Sequence, residues 1–345
     1  MKKIITLGVI ALLSASMVQA APSAAYPSMS VTKLTGTLEW SFTSYGGLVL
    51  DGDVLYFGND DVVRSYNTAT STEAEFAVCG SNAGIGTVNK LGTEMYMSKD
   101  TSYNSPYPSN FGTIDPADDP AFTATMSSGT EIGETTYSIY DSAVYGGNLY
   151  FVANVGTYVD NGQGGKTGQL NGTSIFRYDT ANPTNPVEIA VIGGSSGGLT
   201  FDASGNLYYA SQNTGEGVLK FTAAEVAAGG LTAADGDIVV DIVGGSLGFL
   251  SDGTLLAETG SGQLLAAYDP ATGDKLYDIA TTTGWDYMGK FVVDTDDAIY
   301  ILSNDWNAMY YGNGDGAVLS AITVPEPTTL GLLLGGVVLL RRRRN

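Results

Sequence analysis

Histidine is absent from this 345-residue chain, and cysteine occurs once, as Cys79. No Ser-His-Asp triad, Cys-His pair or His-bound zinc or haem can form without histidine. A lone cysteine cannot close an internal disulfide. Charge is scarce as well. Only 15% of residues are charged, against about 25% in an average soluble domain. Lys and Arg number 15 against 36 Asp and Glu, for a formal net charge of −21. Such a chain has no basic face to offer nucleic acid. Long helical periodicity is missing too: between residues 26 and 323 the one helix-like stretch is short, Ala223 to Ala228.

What is present begins at the two ends. Lys2 and Lys3 precede the apolar run Ile4 to Leu13, and Val18-Gln19-Ala20 places small residues before Ala21. That order of basic, apolar and small residues is a secretory signal over residues 1–20, with cleavage between Ala20 and Ala21. The other end, residues 324–345, is also tripartite. Val324-Pro325-Glu326-Pro327 leads into the uncharged run Thr328 to Leu340, which is closed by Arg341, Arg342, Arg343, Arg344 and Asn345. The prolines keep their stretch extended. The thirteen-residue run reads as a short transmembrane helix, and the arginines would hold its end in the cytoplasm. As a helix it spans about 20 Å, against a bilayer core of about 30 Å, so arginine snorkelling would have to cover the rest.

This tail resembles the PEP-CTERM sorting domain of Gram-negative bacteria. The resemblance implies export by the Sec machinery, processing by an exosortase and association with exopolysaccharide or biofilm. Carried over by residue, Pro325, Glu326 and Pro327 are the recognition tripeptide, and Arg341 to Arg344 are the stop-transfer cluster. Residues 21–340 hold nine Lys and Arg against 36 Asp and Glu, a net of −27. The exported body is therefore more acidic than the whole chain.

Between the ends, residues 21–323 repeat. Short apolar-aromatic runs alternate with Gly, Asp, Asn and Ser, which is an all-β pattern. A turn such as Asp202-Ala203-Ser204-Gly205-Asn206 leads into a Leu-Tyr strand, and a second strand follows. Aligned on Tyr56, Tyr96, Tyr150, Tyr208, Leu256 and Tyr300, the units are 40, 54, 58, 48 and 44 residues apart. These spacings are close to the roughly 40–50 residues of a four-stranded propeller blade. The expected fold is a β-propeller of six four-stranded blades, or seven if residues 100–145 hide a degenerate one. Strand Thr37 to Phe42 would close the ring on the last blade. The rhythm resembles NHL and SMP-30-like six-bladed propellers. Residues 101–130 and 155–172 read as long inserted loops, and Gly193 to Gly198 as a loop between blades.

Carboxylates are the only abundant reactive groups. Asp294, Asp296 and Asp297 form the tightest cluster and are the calcium candidates, since close-set oxygen ligands suit that ion. The same residues sit where a blade turn favours Asp for its own geometry. Lactonase-type propellers place a metal in the central channel on Glu, Asn and Asp, and the resemblance would draft Glu258, Asn304 and Asp305 into that role. No residue set demands a cofactor or a catalytic site. The sequence therefore reads as an exported, exosortase-sorted surface or matrix propeller that binds extracellular polysaccharide without catalysis. The alternative is a secreted metal-dependent hydrolase or lactonase on the same scaffold.

Overall fold

The computed structural model describes residues 23–24, 30–35, 38, 47–59, 62–78, 83–101, 110–114, 130–131, 136–160, 166–178, 186–194, 197–211, 216–259, 262–282, 286–305 and 317–323. Two N-terminal strands come first, β1 (Ser23–Ala24) and β2 (Ser30–Lys33). Six antiparallel sheets follow in chain order. Blade 1 is β3 (Leu48–Asp51), β4 (Val54–Asn59), β5 (Val62–Asn67) and β6 (Thr72–Val78). Blade 2 is β7 (Ala83–Leu91), β8 (Glu94–Thr101), β9 (Asn110–Ile114) and β10 (Thr130–Glu131). Blade 3 is β11 (Thr136–Tyr145), β12 (Asn148–Asp160), β13 (Lys166–Tyr178) and β14 (Val187–Val191).

Blade 4 begins with β15 (Leu199–Phe201), β16 (Leu207–Ala210) and β17 (Val218–Phe221). Helix α1 (Ala223–Ala228) then leads to β18 (Leu231–Thr232), which pairs in parallel with β14, before β19 (Asp237–Val240) completes the blade. Blade 5 is β20 (Gly244–Phe249), β21 (Leu255–Thr259), β22 (Leu264–Tyr268) and β23 (Lys275–Thr281), and β1 adds to its edge. Blade 6 is β24 (Asp286–Val293), β25 (Ala298–Asp305) and β26 (Ala317–Thr323), completed by β2. The innermost strands form a closed ring: β3 packs on β7, then β11, β15, β20 and β24 follow in turn, and β24 returns to β3.

Each blade has two apolar faces that it cannot bury alone, and radial stacking buries both. The core accordingly lies between blades. Tyr209, Phe221 and Leu199 of blade 4 pack with Val152 and Ile175 of blade 3. Leu256 and Leu265 of blade 5 pack with Phe291 and Ile301 of blade 6. The six aligned residues, Tyr56 through Tyr300, all fall on the second strand of a blade.

The repeated turn has a physical basis. Asp202 Oδ1 accepts the backbone N–H groups of Ser204 and Asn206 at 2.9 Å each, and its Oδ2 accepts the Tyr208 hydroxyl at 3.3 Å. Asp294 repeats this with Asp296, Ala298 and Tyr300. The carboxylate holds the turn while the tyrosine ties the turn to the second strand. Gly205 in that turn has φ +84° and lies under the Tyr145 ring, so a Cβ would be both strained and crowded.

The expected six blades are present: the described part of residues 100–145 divides between blade 2 and the inner strand of blade 3, with no seventh blade among the described residues. Three other expectations change in detail. Ring closure on blade 6 comes from Ser30–Lys33, whose Ser30 pairs with Thr323, and Leu38 of the expected strand bridges Ala317, while residues 37 and 39–42 lie outside the described residues. Residues 155–172 are largely the arms of the β12–β13 hairpin, which projects beyond the blade. Its Gly, Thr and Asn break the hydrophobic alternation that would mark a strand, so the arm reads as loop. Within 101–130, Asn110–Ile114 is a blade strand, and Phe111 is buried against Tyr96, Phe151 and Tyr178. The expected helix is α1, with the bounds Ala223–Ala228 and a capping box from Thr222 and Glu225.

The signal segment with Ala20 and Ala21, and the sorting segment from Pro325 to Arg344, lie outside the described residues. Among the described residues no helix is long and apolar enough to cross a membrane.

Candidate functional site at the propeller axis

The inner strands carry the polar groups that face the axis, and β-bulges put them there. The register between strands one and two shifts at Ile85/Val88 in blade 2, Ile139/Asp141 in blade 3, Gly244/Leu247 in blade 5 and Met288/Phe291 in blade 6. A bulge breaks the alternation and re-aims the residue at the break. Thr87, Asp141, Ser246 and Lys290 all sit at these breaks and are all buried.

The residues form a bonded layer. Thr87 Oγ1 and Ser142 Oγ lie 2.6 Å apart, and Asn89 Nδ2 donates to the same Ser142 oxygen at 3.2 Å. Asp141 Oδ1 accepts Ser142 N, and Oδ2 accepts Leu199 N of blade 4, both at 2.8 Å. Lys290 Nζ donates to both oxygens of Asp141 at 2.7 Å. Phe291 N donates to Ser246 Oγ at 3.3 Å. Blades 2 to 6 are thus linked through one polar belt. Blades 3 and 6 are three places apart in either direction round the ring, so the Asp141–Lys290 pair crosses the middle of the channel. Asp141 is 1% exposed and Lys290 6%. Burial pushes the Asp141 carboxyl above the usual range, against the pull of the Lys290 ammonium and its two backbone donors.

A second acid lies at the same level. Two residues beyond each aligned second-strand position stand Gly58, Ser98, Val152, Ala210, Glu258 and Leu302. In blade 2, Ser98 Oγ accepts the bulge N–H of Thr87 at 2.9 Å. In blade 5 the Glu258 carboxylate does the same work for Gly245 and Ser246, and also accepts Gly262 N–H. Gly245 is required here, because a Cβ would lie 1.9 Å from Glu258 Oε2. Burial nonetheless raises the Glu258 pKa to about 7. A neutral hydroxyl suffices in blade 2, so blade 5 carries an ionisable group beyond what closing the bulge requires.

Of the candidates named from the sequence, Glu258 lies beside the axial belt, and Asp294, Asp296 and Asp297 lie at a blade turn. Asp294 is the turn acid described above. Asp297, at φ +61°, receives Ser251 N at 2.7 Å and Ser251 Oγ at 2.8 Å, which ties the blade 6 turn to the blade 5 turn. Asp296 is exposed on the same turn. Donors therefore occupy the Asp294 and Asp297 carboxylates, where calcium would need open oxygen ligands. Asn304 and Asp305 end β25. Cys79, Trp40, Trp285 and Trp306 lie outside the described residues. Sequence reasoning missed Asp141 and Lys290, which stand 149 positions apart. Lys290 had a local signal, a Gly-polar-apolar triplet shared with other bulges, in Gly86-Thr87-Val88, Gly245-Ser246-Leu247 and Gly289-Lys290-Phe291, while Asp141 in Ile139-Tyr140-Asp141-Ser142 had none.

No protein-family model matches this sequence, and no characterised protein matches it at the sequence level. Solved structures do match by shape. A luciferin-regenerating enzyme aligns with TM-score 0.61 at 11% identity, over 86% of this chain and 96% of the other. A gluconolactonase from Xanthomonas campestris aligns with TM-score 0.59 at 14% identity, over 88% and 95%. Regucalcin from Agrobacterium tumefaciens, titled a calcium-binding protein, aligns with TM-score 0.60 at 11% identity, over 86% and 94%. At such identities the likeness is one of fold: a six-bladed propeller of the SMP-30/gluconolactonase kind.

The calcium that regucalcin binds finds no ready set of ligands among the described residues at this axis. Among the described residues no three acidic or sulfur side chains gather to hold a metal. Asp141 is saturated by an ammonium and two N–H groups, and Glu258 by three N–H groups. The described residues do not fit a resident divalent ion.

Proposed function

We propose that this chain is a secreted hydrolase of the lactonase type, acting on a small carbohydrate-derived ester without a resident metal. The observation that carries the reading is Glu258, a buried carboxyl with a pKa of about 7 beside the axial belt. A base poised near the working pH is what proton abstraction from attacking water requires. The shared shape with a gluconolactonase supports the substrate class by analogy of fold. The test is hydrolysis of sugar lactones between pH 5.5 and 8.5. The reading expects a rate that rises to a plateau above pH 7 and falls at least about 100-fold in Glu258→Gln. Equal rates in the two proteins after subtraction of spontaneous hydrolysis would remove Glu258 from the chemistry.

Export belongs to the same proposal and rests on the termini. The signal ending at Ala20 and the Pro325-Glu326-Pro327 tail with Arg341 to Arg344 support Sec export, transient inner-membrane anchoring and exosortase release at the cell surface. Mass analysis of the mature protein from producing cells tests this, and loss of both ends is expected.

A second reading is a non-enzymatic propeller that binds exopolysaccharide. What favours it is that every described axial acid already has structural partners. Glycan-array binding by a protein inert towards lactones would decide for it.

A further inference from the structure

The axis carries a cation of its own. Asp141 reaches inward from blade 3, and Lys290 meets it from the opposite blade with Nζ 2.7 Å from each oxygen. We infer that Lys290 is the resident cation of the channel, supplying covalently the positive charge that the buried Asp141 needs, so that this propeller bolts its axis together without a dissociable ion. The inference stands on geometry alone and holds whether or not the chain is a hydrolase.

Three observations carry it. A carboxylate 1% exposed must be paired, because an isolated buried charge is too costly to keep. The remaining bonds of Asp141 come from backbone N–H groups, which satisfy its lone pairs without supplying net charge. The position of the lysine is also specific. Thr87 and Ser246 occupy the corresponding bulges of blades 2 and 5, where Thr87 Oγ1 meets Ser142 of the adjacent blade 3 and Ser246 Oγ accepts Phe291 N–H of the adjacent blade 6. Lysine appears only in the blade that faces the acid-bearing one, so its four-carbon stem spans the axis instead of reaching a nearest neighbour.

The test removes the cation and offers it back. Lys290→Ala deletes a propylammonium-shaped piece beside a buried carboxylate. Its melting temperature should fall by roughly 6–12 °C, the size expected for breaking a buried pair in a domain of this length. Added propylammonium should restore several degrees. 1-Propanol, which fills the same space without charge, should restore none. Wild type should respond to neither. Where Lys290→Ala does not fold, recovery from denaturant in propylammonium against 1-propanol gives the same comparison, and equal recovery in the two overturns the inference.

Asp141→Asn/Lys290→Met, which has no charge to pair, should fold with a melting temperature within a few degrees of wild type. It should also show the same response as wild type to EGTA and to calcium. One calcium bound per wild-type chain and lost in the double variant would overturn the inference, because the axis would then hold a dissociable ion.

Discussion

The acids at the axis and the acids at the blade turns are the same residue types put to opposite uses. Asp202 and Asp294 lie at the rim of the strands, where their carboxylates close turns and receive a tyrosine hydroxyl. Those acids raise their tyrosine partners: Tyr208 and Tyr300 are pushed up to about 12, first by burial and then by the neighbouring Asp. Asp141 and Glu258 lie inside, where burial works on the acids themselves and raises them. Counting carboxylates along the chain cannot separate the two groups. What separates them is whether water or protein faces the charge.

The largest effect that sharpens this contrast is at the axial pair. Lys290→Met leaves Asp141 buried and unpaired, and should cost about 3–5 kcal/mol in chemical denaturation. A cost below about 1 kcal/mol would make the axis no different from a surface salt bridge. The next effect concerns Glu258. Its folded pKa of about 7 lies above the ordinary value of 4.5, so the native state holds more protons than the unfolded chain between those values. The stability from protonated Glu258 is full below about pH 4.5 and is lost as pH rises through about 7, a fall of roughly 3 kcal/mol. Glu258→Gln should flatten the denaturation midpoint across that window, and an unchanged slope would place the proton uptake elsewhere.

At the turns the effects shrink. Asp294→Ala removes acceptors for two backbone N–H groups and the Tyr300 hydroxyl, and should cost about 1–2 kcal/mol. It should leave calcium affinity unchanged if the acid serves only the turn. Loss of a bound calcium would instead restore the metal reading of Asp294, Asp296 and Asp297. Smallest is Thr222→Ala, which opens the capping box of α1 and should cost about 1 kcal/mol by thermal melting. No change would show that α1 is held by Val226 packing alone.

The same contrast explains what could be read in advance. The turns were legible because their chemistry is local: a short turn bearing Asp or Gly precedes the second strand of every blade, and five of the six aligned positions are Tyr. The third strands were legible as short apolar runs, and α1 as the one helix-like stretch. The inner strands were not. Those of blades 2, 3, 5 and 6 are broken by a bulge that destroys period-two alternation at the residue that matters, so Gly289-Lys290-Phe291 shows only as an irregular triplet. The partner of Lys290 lies three blades away and shares no local pattern with it. Glu258 could be named among 36 acids, but only the Gly245 backbone against it shows why it is special. Ring closure was legible in principle, but the part taken by Ser30–Lys33 was not, because that strand is too short and polar to stand out from its surroundings.

The most direct measurement is a double-mutant cycle between Asp141 and Lys290, with the Asn and Met replacements made singly and together and stability read by denaturation. A pair that crosses the channel predicts a coupling energy of about 2–3 kcal/mol or more, with the double variant more stable than either single one. Additive costs within about 0.5 kcal/mol would mean that the two side chains do not meet, and the bolted axis would be contradicted.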